Sequence, residues 1–286
     1  MTSKPEDGLP LVSIITPSLN SGAVIEATMG SVFRQQYPRI EYIVIDGGSR
    51  DNTRDIILQQ AEKIVCWVSE PDNGISDAFN KGIRASSGEI VGIINAGDRY
   101  TDGAVASAVT VLSENPDCDF VYGDIIYTDR EGTPKFLMKA GNDYGDKIRY
   151  TMPALPHPTV FMRKSVYETC GLFDTDYRIA MDYEFLLRIT LAGKRGRSVG
   201  AALAYMSLGG VSYAGFYGSY REVCRASIMY GYSPLKAYVR LYLKGLRGMG
   251  RVLLERFGLD ATVSVLRRIF WNVKTIGNDS SFRDLH

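Results

Sequence analysis

A chain of 286 residues that is 45% hydrophobic and 23% charged has the balance of a globular protein able to bury a sizeable core. Its 33 Lys and Arg against 32 Asp and Glu leave a formal charge of +1, which gives no electrostatic basis for nucleic-acid binding. Four cysteines, Cys66, Cys118, Cys170 and Cys224, lie about fifty residues apart without a CxxC pair, which argues against a zinc site and for reduced thiols.

Residues 1–10 are polar, read as a flexible N-terminus, and lack the apolar core of a secretory signal. No run of eighteen or more apolar residues follows, so no bilayer span is expected. Residues 11–16 read as a buried strand, ended by Pro17 and a turn over 18–20. A helix is expected over 22–36, with Ile25, Met29, Val32 and Phe33 on one face. Residues 42–45 form a second strand ending in Asp46-Gly47-Gly48-Ser49, and Asp51 caps a helix running through Gln60. A third strand, 64–69, ends in Glu70-Pro71-Asp72-Asn73-Gly74 and leads to a short helix over 75–85.

Residues 89–94 are mostly apolar and β-branched, as suits a strand covered on both faces. They stop at Asn95-Ala96-Gly97-Asp98, residues that serve a turn better than a core. Strand and helix thus alternate, which predicts a mostly parallel sheet with right-handed crossovers. In open α/β sheets ligands bind at the carboxyl ends of the strands. Here those ends are polar or Gly-rich, at 16–20, 46–49 and 95–98, and together they would make a crevice fit for a nucleotide.

A helix is expected near 102–114, a strand over 119–128, and a hairpin turn at Glu131-Gly132 into 134–139. Residues 141–148 are polar without a period and read as a mobile loop. A strand over 159–163 follows Pro156-His157-Pro158, Gly171 closes a short helix begun at Ser165, and 182–191 form a further helix after a loop over 174–179. From Gly215 the chain becomes helical and aromatic. Between Lys236 and Lys274 nine Lys or Arg face two acids, Glu255 and Asp260, with Tyr238, Leu241, Tyr242, Leu246, Val252 and Leu253 among them. Such a segment can lie on an anionic membrane or pack on the core with a solvated cationic face. The aromatic stretch over 215–232 could also pair with a second copy.

Seven segments in order resemble the family 2 glycosyltransferases of the GT-A fold, of the bacterial polysaccharide type. They are residues 12–20, 45–49, 74–82, 95–98, 157–161, 171–174 and 182–188, and the resemblance spans roughly 11 to 212. It implies a nucleotide-sugar-binding half at 11–128 and an acceptor-binding half at 129–214; the composition adds a helical, basic C-terminal extension at 215–286. Asp98 matches the carboxylate that the family uses to hold a divalent cation, Mg²⁺ or Mn²⁺, although the positions of Asn95 and Gly97, often acidic there, are neutral here. Asp46 matches the acid that hydrogen-bonds the donor's base or ribose; Thr16, Pro17 and Asn20 match the segment under the nucleoside. Ser49, Gly74 and Asn95 would add donor contacts, and His157 would stand on the acceptor or diphosphate side. Asp182 matches the catalytic base of inverting members, with Met181 where an acid often precedes it.

The chemistry is consistent with those residue types. Charge builds on a departing nucleoside diphosphate, which a cation held by one or two carboxylates can offset. The acceptor hydroxyl must lose its proton, which calls for a placed carboxylate. The expectation is an inverting glycosyltransferase acting on a lipid-linked or saccharide acceptor, cytoplasmic and peripheral on the inner face of the membrane. A non-catalytic nucleotide-sugar-binding protein of the same fold is the alternative that Gly97 and Met181 leave open. A dinucleotide oxidoreductase is disfavoured because Thr16-Pro17-Ser18-Leu19-Asn20 replaces GxGxxG after the first strand. A kinase or ATPase is disfavoured because no GxxxxGK[ST] is present.

Overall fold

The computed structural model describes residues 8–129, 131–141, 144–153, 155–207, 216–256 and 273–275. The first part alternates as the pattern requires: β1 (Val12–Ser18), α1 (Ile25–Phe33), β2 (Ile40–Asp46), α2 (Thr53–Gln59), β3 (Cys66–Ser69), α3 (Ile75–Ala85) and β4 (Ile90–Ile93). β1 pairs in parallel with both β2 and β4, and β2 with β3. Next come β5 (Arg99–Tyr100), α4 (Ala104–Glu114), β6 (Phe120–Thr128), β7 (Pro134–Met138), α5 (Tyr144–Lys147), β8 (Phe161–Arg163), α6 (Lys164–Cys170), α7 (Met181–Leu191) and β9 (Gly196–Ser207). β8 runs antiparallel to β4 and β6, so β6 has the same sense as the first four strands. The backbone ends in α8 (Phe216–Met229), α9 (Pro234–Arg256) and β10 (Val273–Thr275).

The sheet is a floor between two apolar layers because successive strand residues point to opposite faces. Ile15, Ile43, Ile45, Val91 and Ile93 pack with Phe79 and Ile83 of α3 and with Phe185 and Leu186 of α7. Their neighbours Ile14, Tyr42, Val44 and Ile90 pack on the other face with Ile25 and Met29 of α1 and Val105 of α4. Burial of each such side chain contributes about 1.5–3 kcal/mol. α3 lies close on β1 because position 82 is Gly: a Cβ there would stand 2.3 Å from Cγ2 of Ile15.

Several expectations are corrected. β5 and β9 were not anticipated; they pair with each other, and β9 also lies parallel to β6. The stretch read as a mobile loop contains α5 and ends at buried Ile148, whose carbonyl accepts from Tyr183 Oη at 2.7 Å. The C-terminal extension is not helical throughout: β10 pairs antiparallel with β7, satisfying an edge that would otherwise expose backbone donors and acceptors. Of the expected boundaries, 128/129 falls at the end of β6 within the one sheet, while 214/215 lies outside the described residues. Residues 1–7 of the expected flexible terminus, and Asp260 and the cations Arg267 and Arg268, lie outside them as well.

Candidate active site

The carboxyl ends of β1, β2 and β4 are stitched together by backbone bonds. Gly47 N donates to Ser18 O at 2.8 Å, Ile94 N to Ile15 O at 2.9 Å and Ala96 N to Pro17 O at 3.2 Å. The 46–49 turn and the 95–98 turn therefore flank the end of β1 on its two sides. Glu70 N, past β3, donates to Asp46 O at 3.0 Å and brings the 70–74 loop onto the same edge.

Asp46 is fully buried and its carboxylate is saturated. It accepts from Ser49 N at 3.0 Å, Ser69 Oγ at 2.6 Å, Ser18 Oγ at 3.2 Å and the Ser49 hydroxyl. Burial pushes this carboxyl up, but the serine donors outweigh it and hold it below the ordinary Asp value. Thr16 is likewise fully buried, with its hydroxyl accepting from Tyr42 Oη at 2.9 Å. Neither offers a polar atom to a ligand in this structure; both shape the floor from beneath. Pro17 is buried with them. Exposed Asn20 has φ 48° and bridges the turns, accepting from Arg50 N at 2.9 Å while its own N–H donates to Ser49 Oγ at 2.8 Å.

The carboxylate that the sequence reading missed is Asp72. Its Oδ1 accepts from Gly74 N at 2.9 Å, and Gly74, at φ 108°, turns the chain into α3. Its Oδ2 lies against Gly47, where an added Cβ would stand 2.3 Å away. The Gly47-Gly48 pair was the available signal, since side-chain-free positions at a strand end leave room for a group from another loop.

On the other flank Asp98 is only 7% exposed. Its backbone closes the turn onto Asn95 O at 2.9 Å, and Thr28 of α1 locks it by donating to Asp98 O at 2.8 Å and accepting from Gly97 N at 2.9 Å. The next helix, α4, begins at Ala104 behind Gly103, so Asp98 is no helix cap. Burial raises its carboxyl to about 7, against the opposing pull of the Asn95 side chain and the Ser207 backbone. Asn95 Oδ1 is buried and has no hydrogen-bond partner among the described residues. Among the described residues no cluster of three His, Cys, Asp or Glu exists. One carboxylate and one orphaned amide oxygen in a single turn fit Mg²⁺ or Mn²⁺ held chiefly by a diphosphate and water.

Two residues before Asn95, Ile93 lines a small pocket that also contains His157, Tyr167, Phe173, Asp182 and Phe185. Ile93, the last residue of β4, is the chain link between this pocket and the Asn95–Asp98 turn. Ala180 occupies the cap position of α7, so Asp182 sits in the first turn and does not cap the helix; its Oδ1 accepts from Tyr183 N at 2.8 Å. Burial, helped by the charge of Glu222 and opposed by the Tyr183 and Asp182 amides, raises its carboxyl to about 6. His157, in a 3₁₀ turn over His157–Thr159, lies between the rings of Phe79 and Phe173 at 5.1 and 5.8 Å. Burial lowers it to about 4, so it is neutral at neutral pH, and its Nδ1 has no hydrogen-bond partner among the described residues.

The loop between α6 and α7 is held from several sides. Asn80 of α3 donates to Phe173 O at 2.8 Å and accepts from Phe173 N at 2.9 Å, and Ser76 Oγ donates to Tyr177 O at 3.0 Å. Arg188 donates to Leu172 O at 2.7 Å while paired with Glu184 at 2.9 Å. Asp77 accepts from Asn73 N at 3.1 Å and lies 3.7 Å from Lys81. The polar face of α3 is therefore a brace.

Curated relatives are similar over the same region. A glycosyltransferase of Mycobacterium tuberculosis described as uncharacterised is 34% identical over 189 residues, 64% of this chain and 70% of its own length. A PGL/p-HBAD biosynthesis glycosyltransferase of Mycobacterium bovis is 30% identical over 184 residues, covering 63% and 69%. Among solved structures, residues 1–349 of Staphylococcus aureus TarS in complex with UDP-GlcNAc match with a TM-score of 0.59 at 19% identity, covering 81% of this chain and 70% of that one. The mannosyltransferase PcManGT of Pyrobaculum calidifontis, in complex with GDP-Man and Mn²⁺, matches with a TM-score of 0.62 at 19% identity, covering 93% and 82%. This chain spans 39% of the longer TarS chain. These likenesses bear out the GT-A fold, an α/β architecture; its sheet is mixed, parallel among β1–β4 and antiparallel around β7, β8 and β10. Residues 13–171, more than half of the chain, match the model of Glycosyl transferase family 2, and the chain belongs to that family.

Proposed function

We propose that this glycosyltransferase inverts the anomeric centre of a nucleotide-sugar as it transfers the sugar to a hydroxyl of a lipid-linked saccharide at an anionic membrane surface. The observation that carries the reading is the presence of Asp182 and neutral His157 in one pocket with Ile93, the end of β4, which stands two residues before the Asn95–Asp98 turn. The acceptor oxygen attacks the anomeric carbon while its proton passes to the Asp182 carboxylate. The new C–O bond forms as the bond to the diphosphate oxygen breaks, and the nucleoside diphosphate leaves with the electron pair. Phe173, Phe185 and Ile93 give the pocket apolar walls. Asp98 and Asn95 Oδ1 would hold the divalent cation, which when bound offsets charge on the departing diphosphate. Asp72, which accepts from Gly74 N and lies against Gly47, would take the donor's nucleoside.

The membrane reading is supported by α9. Its outer face carries Leu235, Tyr238, Val239, Tyr242, Leu243, Leu246 and Met249, all exposed, with Leu235 at 74% and Tyr242 at 67%. At 100° per residue these fall within an arc of about 140°. Lys236, Arg240 and Arg247 lie along one flank of that arc, as on a helix that rests on anionic lipid. Among the described residues no helix is long and apolar enough to cross a membrane.

The test is a thermal-shift screen with UDP-, GDP- and dTDP-sugars, with and without Mn²⁺, followed by turnover of the best donor across pH. Because the base must be ionised, kcat should rise with pH through about 6, the Asp182 value. Asp182→Asn should bind the donor normally and fail to turn it over. Turnover by that variant at the wild-type rate sinks the reading.

A further inference from the structure

One carboxylate of the C-terminal helices reaches the backbone that delivers Asp182. Glu222 of α8 accepts from three successive amides: Arg178 N on Oε1 at 3.1 Å, and Ile179 N and Ala180 N on Oε2 at 2.9 and 2.7 Å. Ala180 is the residue before α7, and Asp182 is the second residue of that helix. Three convergent donors on one anion fix the direction in which the chain enters α7, and charge-assisted bonds of this kind are about twice as strong as neutral ones. A carboxylate before the first turn of a helix is also favoured by the helix dipole. The rest of the pocket wall is held by Asn80, Ser76 and Arg188, so Glu222 supplies the last constraint just before the reacting group.

Resting on the reading of Asp182 as base, we propose that Glu222 is the positioning residue for Asp182, which makes α8 part of the catalytic apparatus. Its role is double. It sets where the Asp182 carboxylate stands, and its own charge adds to burial in making that carboxylate a stronger base. Other ionisable groups also face the pair. His157 and Tyr167 line the Asp182 pocket. On the Glu222 side, Arg225 reaches Asp176 at 3.5 Å and lies 4.8 Å over the Tyr177 ring, Glu184 is paired with Arg188, and Asp174 accepts from Asp176 N at 2.9 Å.

The experiment follows release of UDP or GDP from UDP-GlcNAc and GDP-mannose with Mn²⁺, water serving as acceptor, in full-length wild type, Glu222→Ala, Glu222→Gln and Asp182→Asn. Glu222→Ala should lower kcat by about 100-fold, the scale of a small misplacement of a reacting group, with donor KM changed less than about twofold. Glu222→Gln keeps an acceptor for the amides but not the charge. It should therefore retain more of kcat, and its acid limb should move to lower pH. If Asp182→Asn keeps wild-type turnover, the base assignment falls and the inference with it. If Asp182→Asn is inactive while Glu222→Gln keeps both wild-type kcat and an unmoved acid limb, the inference alone falls. An equal loss of kcat and donor affinity with an unmoved limb also overturns it, because that marks a merely structural contact. Should Glu222→Ala fail to fold, judged by its far-ultraviolet circular dichroism, the Gln variant decides alone.

Discussion

Asp72 stands where a side chain on Gly47 would have to go: a Cβ added to Gly47 would lie 2.3 Å from Asp72 Oδ2. The two residues come from different loops, after β3 and after β2, and meet above the buried Asp46. Asp46 is already saturated by serine donors, so on the proposed reading the nucleoside contact falls to Asp72 of the neighbouring loop.

Asp72→Ala should accordingly weaken binding of the donor's nucleoside diphosphate by about 10- to 100-fold, the loss of one hydrogen bond to a charged group. Gly47→Ala should weaken it comparably, because the added methyl displaces the Asp72 carboxylate, and the double variant should be no worse than either single. Isothermal titration with UDP and GDP measures all three. Additive losses would mean that the two positions act independently.

Asp98 gives a stability test whose sign follows from its burial. Its carboxyl is raised in the folded protein to about 7 from an ordinary 3.8, so between those values the folded chain binds a proton that the unfolded chain does not. Stability from this group is therefore full below about pH 4 and falls as pH rises towards about 7. Asp98→Asn removes the penalty: its Tm should exceed wild type at about pH 8 and converge with it near pH 4. The same variant should lose the Mn²⁺-dependent part of the thermal shift given by UDP. A parallel pH dependence in both proteins, or an unchanged Mn²⁺ response, counts against the assignment.

What the sequence made legible was local. The apolar strands, their polar ends and the 75–85 helix follow from periodicity and turn chemistry within a few residues. What it hid was non-local. Asp46 reads as an exposed strand end until Ser18 and Ser69 arrive from neighbouring strands. Asn80 reads equally as ligand contact or brace until Phe173, distant along the chain, accepts and donates at its amide. β9 was missed because Gly196, Gly200, Ala201, Ala202 and Ala204 carry no strand propensity, and its place is set by pairing with β6.

Asn80 therefore yields a prediction about folding. It is 4% exposed, and Asn80→Ala leaves the Phe173 N–H and C=O without partners. Each unsatisfied buried group costs about 1–3 kcal/mol, so a loss of about 3 kcal/mol in denaturant unfolding is expected. Asn80→Asp loses the donor and sets a buried carboxylate against the Phe173 carbonyl, so near neutral pH it should destabilise at least as much. Donor affinity measured on the folded fraction should be unchanged, since the side chain faces the α6–α7 loop and not the ligand edge.

The outer face of α9 is the last test. Its inner face is tied to the body through buried Ala237 and through Lys244, whose ammonium contacts the Thr151 hydroxyl. The exposed apolar stripe is thus held at a fixed place on the surface. Tyr242→Glu with Leu246→Glu puts two anions into the centre of that stripe, where they meet both the acyl boundary and anionic headgroups. Sedimentation with phosphatidylserine-containing vesicles should show the wild type bound and the double variant free, with unchanged circular dichroism. Arg240→Gln with Arg247→Gln should weaken binding to anionic vesicles and leave the weak binding to neutral ones unaltered, because a polybasic flank contributes about 1 kcal/mol per cation near an anionic surface. Equal sedimentation of all three proteins would leave the stripe without a lipid role. If the double variant also changes from dimer to monomer in solution, the stripe pairs with its own copy, and the membrane reading gives way to that one.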